Sequence, residues 1–185
     1  MRITPNLDRS DFPTQLTLND KITIFEKQIN GWIFDIAEKV SNECVHGGFA
    51  VLSIVLNYFE SIGKYIEGYT NIDKVECYFK KGAYFVFPEL KNEDQRTVES
   101  LLDLLYHGCR CGLYHTGITG GKIILTGEIT SPLIFDRTQS LLVINPHLVV
   151  PKLRGNFQDY CNQLRNPTNL ALRQNFEKRF DYLLG

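Results

Sequence analysis

The chain has 185 residues, 43% hydrophobic and 22% charged, which suits one packed globular domain and supplies a core without help from disulfides. Its formal net charge of −1 offers no bulk cationic field, so any RNA or DNA site has to be a local patch. Five irregularly spaced cysteines, a polar N-terminus broken by Pro5 and Pro13, and no apolar run of roughly 20 residues point away from secretion and membranes and towards a reduced cytoplasm.

Residues 1–18 read as an extended arm. From Asn19, taken as an N-cap, Ile22, Phe25, Ile29, Trp32, Ile33, Ile36 and Val40 recur at steps of three and four. That spacing predicts an amphipathic helix ending near Cys44, ahead of His46-Gly47-Gly48. A second helix is predicted from Phe49 to Glu67, stopped by Gly68; apolar on most sides, it belongs at the centre. Tyr69 to Leu90 reads as a packed irregular connection, with at most a short strand at Ala83–Phe87 before Pro88. Asn92 and Gln95 resemble a capping box for a third helix through Val98, Leu101, Leu102, Leu104, Leu105 and Tyr106.

After the turn Thr116–Gly121, the runs Lys122–Thr130, Leu133–Phe135 and Leu141–Ile144 read as short strands. Pro151 is expected to open a fourth helix carrying Leu153, Phe157, Tyr160 and Leu164. Asn166-Pro167 interrupts it, and a last helix carries Leu170, Phe176, Phe180 and Leu183. The expected fold is mainly α: a helical bundle forming a single domain over residues 1–185. A small peripheral β hairpin or meander, at about 122–145, is inserted after the third main helix.

The third helix runs into Arg110-Cys111-Gly112-Leu113-Tyr114-His115, an Arg-x4-His pattern behind the apolar run Leu101–His107. In this pattern and its helical setting the chain resembles the HEPN superfamily of small helical bundles. That resemblance implies a metal-independent endoribonuclease of a toxin or phage-defence type, acting as a homodimer, with RNA as substrate and an antitoxin or other protein as partner. By the same analogy His115 is the acid/base that moves a proton to or from the substrate's 2′-hydroxyl, and Arg110 is the phosphate clamp. Glu60 is the candidate supporting group. Members commonly carry a polar residue, often Asn, directly after the arginine; here it is Cys111, a weaker hydrogen-bonding neighbour.

Five residues along a regular helix rotate by about 140°, so Arg110 and His115 do not share a face there. They converge only if the helix breaks near Gly112 or if two subunits build one cleft. A structural reading stays open: the arginine closes the helix and the histidine packs at a turn, which leaves a non-catalytic interaction or dimerisation module. His107, Cys109, Cys111 and His115 form a Cys/His cluster whose spacing fits zinc poorly, so neither a metal nor another cofactor is expected. Cys77 and Cys161 are expected in the core. Tyr78, Phe79, Tyr84, Phe85 and Phe87 are read as core before they are read as base-stacking groups. Arg165, Arg173, Lys178 and Arg179 are read as solvated helix faces, with an RNA groove as the alternative.

Overall fold

A computed structural model describes residues 2–4, 7–71 and 73–184. The arm is not simply extended: β1 (Arg2–Thr4) pairs antiparallel with β2 (Leu7–Asp8), and Ile3 is fully buried. Trp32 fastens it, its indole N–H donating to the Ile3 carbonyl at 2.6 Å.

Helix α1 (Leu18–Ile29) is capped by Thr17, two residues before the expected Asn19. Thr17 Oγ1 accepts from the Asp20 amide at 3.2 Å while the Asp20 carboxylate accepts from the Thr17 amide at 2.9 Å. This reciprocal pair satisfies two donors that a helix start leaves open. A π-helical turn, Asn30–Phe34, joins α1 to α2 (Asp35–Glu43), and Cys44 closes the helix as expected. The wider turn shifts the buried register. Ile22 and Phe25 face the core before it, but Phe34, Ala37 and Ser41 do so after it, while Trp32 and Ile36 come out to solvent. An uninterrupted 3.6-residue repeat does not anticipate that step.

The predicted second helix is divided into α3 (Gly48–Val55) and α4 (Asn57–Glu67) at Leu56, and Gly68 ends it in the left-handed conformation at φ 62°. The segment read as irregular is instead helix α5 (Val75–Val86). Its Tyr78, Phe79, Gly82, Ala83 and Val86 are buried at helical spacing. Burial of that face against α4 outweighs the strand preference of the aromatic run, and Pro88 then stops the helix.

Helix α6 (Gln95–Asp103) starts from Asp94, not Asn92: the Asp94 side chain accepts from the Thr97 amide at 2.9 Å. A long π-helical stretch, Leu104–Cys111, leads into α7 (Gly112–Thr116), which Gly117 closes at φ 75°. Strands β3 (Ile123–Leu125), β4 (Leu133–Asp136) and β5 (Leu141–Ile144) follow in the order β3-β5-β4. β4 and β5 form the expected hairpin, but β3 joins β5 in parallel and stops five residues short of the expected Thr130.

Helix α8 (Pro146–Arg165) begins before Pro151, which lies inside it; Asn145 is the cap, accepting from the His147 amide at 3.0 Å. Proline is tolerated at Pro146, where no intrahelical donor is lost. Helix α9 (Leu170–Leu184) completes a mainly helical chain with small β elements. Phe157 of α8 sits at the centre, with ring centroids 5.3 Å from Phe25, 5.8 Å from Phe34 and 6.0 Å from Tyr58. Cys161 is buried as expected, whereas Cys77 is exposed. No helix among the described residues is long and apolar enough to cross a membrane.

Candidate functional site

Arg110 lies at the end of the π-helical stretch and turns inward. Its Nη2 is 3.4 Å from Glu60 Oε2 on α4, and both side chains are only 18% exposed. The other Glu60 oxygen receives Lys64 Nζ at 2.5 Å, and the Lys64 side chain is 5% exposed. One carboxylate therefore serves two cations, and the short contact belongs to the lysine. Arg110 Nε is buried with no hydrogen-bond partner among the described residues. The guanidinium carbon lies 5.9 Å from the Tyr106 ring centre and 5.3 Å from that of Tyr114, within range of cation–π attraction. Together with Ser53, Leu56, Asn57, Leu113 and Tyr114, Arg110 lines a cavity of 190 Å³.

His115 lies at the surface instead. It is exposed, its ring edge-on to Tyr114 at 5.1 Å, and no described side chain hydrogen-bonds it. The helix does not break at Gly112, whose φ of −56° and ψ of −55° are helical. Arg110 and His115 thus touch the same Tyr114 ring, but one turns inward and the other to solvent. Cys111 is half-buried beside Tyr106. Burial raises the Tyr106 phenol above its ordinary pKa and Cys111 adds to the rise, against the opposing charge of Arg110. The loop after α7 packs tightly on this helix: the Gly120 amide donates to Gly108 O at 2.9 Å, and a Cβ on Gly112 would lie 2.7 Å from Ile118 O.

The sequence cluster His107, Cys109, Cys111 and His115 does not form a donor set. Cys109 is fully buried, and burial pushes its thiol up to about 12, which disfavours the thiolate that zinc needs. Elsewhere, Glu76, Asp103 and His107 bring ligand atoms within 4.8 Å of one another. The Lys80 ammonium already stands there, 2.6 Å from both Glu76 and Asp103. Burial lowers its pKa, but the hydrogen bonds to Asp103 and Glu76 outweigh that and hold it above the ordinary lysine value.

The C-terminal basic residues are not all solvated. Arg179 is buried and donates to Tyr69 O at 2.9 Å, and Arg165 pairs with Glu26 on α1. Tyr78, Phe79 and Phe87 are buried, as expected of core rings. Lys64 and Tyr114 were not legible as site residues, since each reads alone as ordinary helix surface. A second cleft was also missed. It holds 240 Å³ between the turn before α3 and the start of α8, and His46 and His147 both line it. One sequence signal marks both cavities: no Asp or Glu occurs from Cys44 to Phe59, or from Leu104 to Gly127.

No family model, curated protein or solved structure matches the chain.

Proposed function

We propose that the chain is a HEPN-like domain that cleaves RNA without a metal ion and does so as a homodimer. The observation that carries this reading is Arg110: a guanidinium facing a cavity, its carboxylate partner Glu60 held more closely by Lys64. A phosphate in that cavity gains charge-assisted donors and adds the negative charge that balances the cluster. His115 supplies proton transfer at the surface. It takes the proton from the ribose 2′-hydroxyl, whose oxygen attacks the adjacent phosphorus. The bond to the 5′-oxygen breaks, that oxygen takes a proton from water as it leaves, and His115 returns its own proton to the resulting hydroxide. The products are a 2′,3′-cyclic phosphate and a free 5′-hydroxyl.

Because the helix continues through Gly112, one copy directs its two side chains apart. A second copy, related by a two-fold axis near the end of α7, brings its own His115 towards Arg110 and resolves that divergence. Cys111 in place of a polar neighbour gives the phosphate one good donor fewer. A protein partner of antitoxin type would act by covering Tyr114 and His115. The second reading is a non-catalytic interaction or dimerisation module, and the contacts of Arg110 with Glu60, Tyr106 and Tyr114 favour it to the extent that they anchor the arginine in place.

The test is cleavage of a fluorescent single-stranded RNA by the wild type, Arg110→Ala and His115→Ala, with the product ends identified. The expected result is cyclic-phosphate ends from the wild type and a loss of about two to four orders of magnitude in each variant. RNA left intact by stoichiometric wild type assigns the segment to the interaction module.

A further inference from the structure

We propose that the cleft lined by His46 and His147 is a nucleotide-binding subsite, and that the exposed stripe of α3 joins it to the Arg110 cavity as the floor of a single-stranded RNA track. The track rests on the RNA-cleaving reading above; the nucleotide cleft stands apart from it.

The cleft is built from three places in the chain. Val45 and His46 come from the turn after α2, Gly48 and Phe49 from the start of α3, and Leu125 to Gly127 with Pro146 and His147 from the β3 edge and the first turn of α8. His147 does not swing freely. Its Nδ1 is hydrogen-bonded to the Oγ of Ser41 at 2.7 Å, and Ser41 is a buried residue of α2. That bond leaves Nε2 as the ring atom available to a ligand. The walls are mixed, with imidazoles and the Thr126 hydroxyl set among Val45, Phe49, Leu125 and Pro146. Phe49 is 43% exposed, so a flat ring stands at the mouth. Imidazoles that reach a phosphate or ribose beside an exposed aromatic face suit a nucleotide, whose base stacks while its backbone is hydrogen-bonded.

The path from this cleft to Arg110 is continuous. Phe49 lines the first cavity, Ser53 and Asn57 line the second, and all three are exposed at successive four-residue steps along α3 and into α4. Eight residues of helix span about 12 Å. A nucleic-acid strand advances about 3.4 Å per nucleotide in a duplex, so the two cavities are a few nucleotides apart. From Phe49 to Asn57 the stripe carries no carboxylate that would repel a phosphate chain, in a protein with 21 acidic residues, and Glu60 at its far end is neutralised by Lys64 and Arg110.

The experiment has two arms. Histidine ring signals are first followed by NMR during titration with each of the four ribonucleoside 5′-monophosphates at millimolar concentration, in the wild type and in Arg110→Ala. The expected result is a saturable shift of His46 and His147 in both proteins. Signals unmoved by all four nucleotides overturn the subsite.

The second arm measures fluorescence anisotropy of an uncleavable 2′-O-methyl hexaribonucleotide. His46→Ala with His147→Ala, and separately Phe49→Glu, should each weaken binding by about tenfold. Phe49 is exposed, so its variant keeps the fold. Full affinity in both variants, with weakened binding in Arg110→Ala, leaves the RNA reading intact and overturns the track. Nucleotide shifts without any hexamer binding uphold the cleft and overturn both the track and the RNA reading.

Discussion

Gly63 of α4 and Gly82 of α5 lie against each other's helix backbone. A Cβ on Gly63 would fall 2.0 Å from Tyr78 O, and one on Gly82 would fall 1.8 Å from Phe59 O. The obstacle in each case is main chain, which cannot rotate aside. This contact sets how closely α5 approaches α4, and α4 carries Glu60 and Lys64. Gly63→Ala and Gly82→Ala are each expected to destabilise the protein by about 3 kcal/mol, the upper end for overpacking. At roughly 2–4 °C per kcal/mol, the midpoint in a thermal melt falls by about 6–12 °C. Gly155 is the control: a Cβ there meets nothing within 4 Å, and Gly155→Ala in α8 should stabilise by about 0.5–1 kcal/mol.

Glu60 and Lys64 are expected to be thermodynamically coupled. Glu60→Gln leaves the Lys64 ammonium buried without its counter-charge, at a cost of about 3 kcal/mol, the lower end for a broken buried pair. Adding Lys64→Met should recover about 1 kcal/mol or more, because the stranded charge is gone. Urea denaturation of the two singles and the double measures this directly. Strict additivity would show that the 2.5 Å contact contributes nothing specific.

Arg110→Ala and His115→Ala should both fold. His115 is exposed, so its loss should cost less than about 1 kcal/mol in a chemical melt. Arg110 is 18% exposed and lies against the Tyr106 and Tyr114 rings, so its loss should cost about 1–2 kcal/mol, which still leaves the chain folded. Any loss of RNA cleavage in these variants then reports on chemistry, not on unfolding.

Acid should loosen the start of α6 through Asp94. The Thr97 amide and hydroxyl hold the Asp94 carboxylate below its ordinary pKa. A carboxylate with a lowered folded pKa stabilises the protein above its unfolded value, and that contribution disappears as pH falls through the lowered one. Asn also caps a helix but does not titrate. Asp94→Asn should therefore show a flatter decline of thermal midpoint below pH 4 than the wild type, and parallel declines would contradict the role of this cap.

The cysteines should separate by reactivity. Cys44 and Cys77 are exposed, whereas Cys109 and Cys161 are buried and each is pushed up to about 12 by burial. A thiol-specific chromogenic reagent at neutral pH should modify Cys44 and Cys77 first, Cys111 later, and the buried pair only on denaturation.

Where local periodicity and glycine stops decide the structure, the sequence is a sufficient guide here, although the helix starts expected at Asn19, Asn92 and Pro151 are displaced to the caps Thr17, Asp94 and Asn145. The mainly helical composition, the end of the first helix at Cys44, the glycine stop at Gly68 and the β4–β5 hairpin are all legible, because each depends on neighbours within a few positions. The Arg110–His115 segment stands out for the same reason. What depended on partners far along the chain was not legible. Helix α5 was read as irregular because its aromatic run favours strands in isolation; only the Gly63–Gly82 approach gives it a helical face to bury. The register shift after Asn30 follows from a π-helical turn whose own Trp32 is bonded to Ile3 of the N-terminal arm. The pairing of Glu60 with Arg110 joins positions fifty residues apart. Ser41 and His147 are farther still, 106 residues apart. Hydrophobic spacing selects which face of an element is buried and the acid-free runs mark which stretches line the cavities, but the docking of elements decides which charges and rings meet in them.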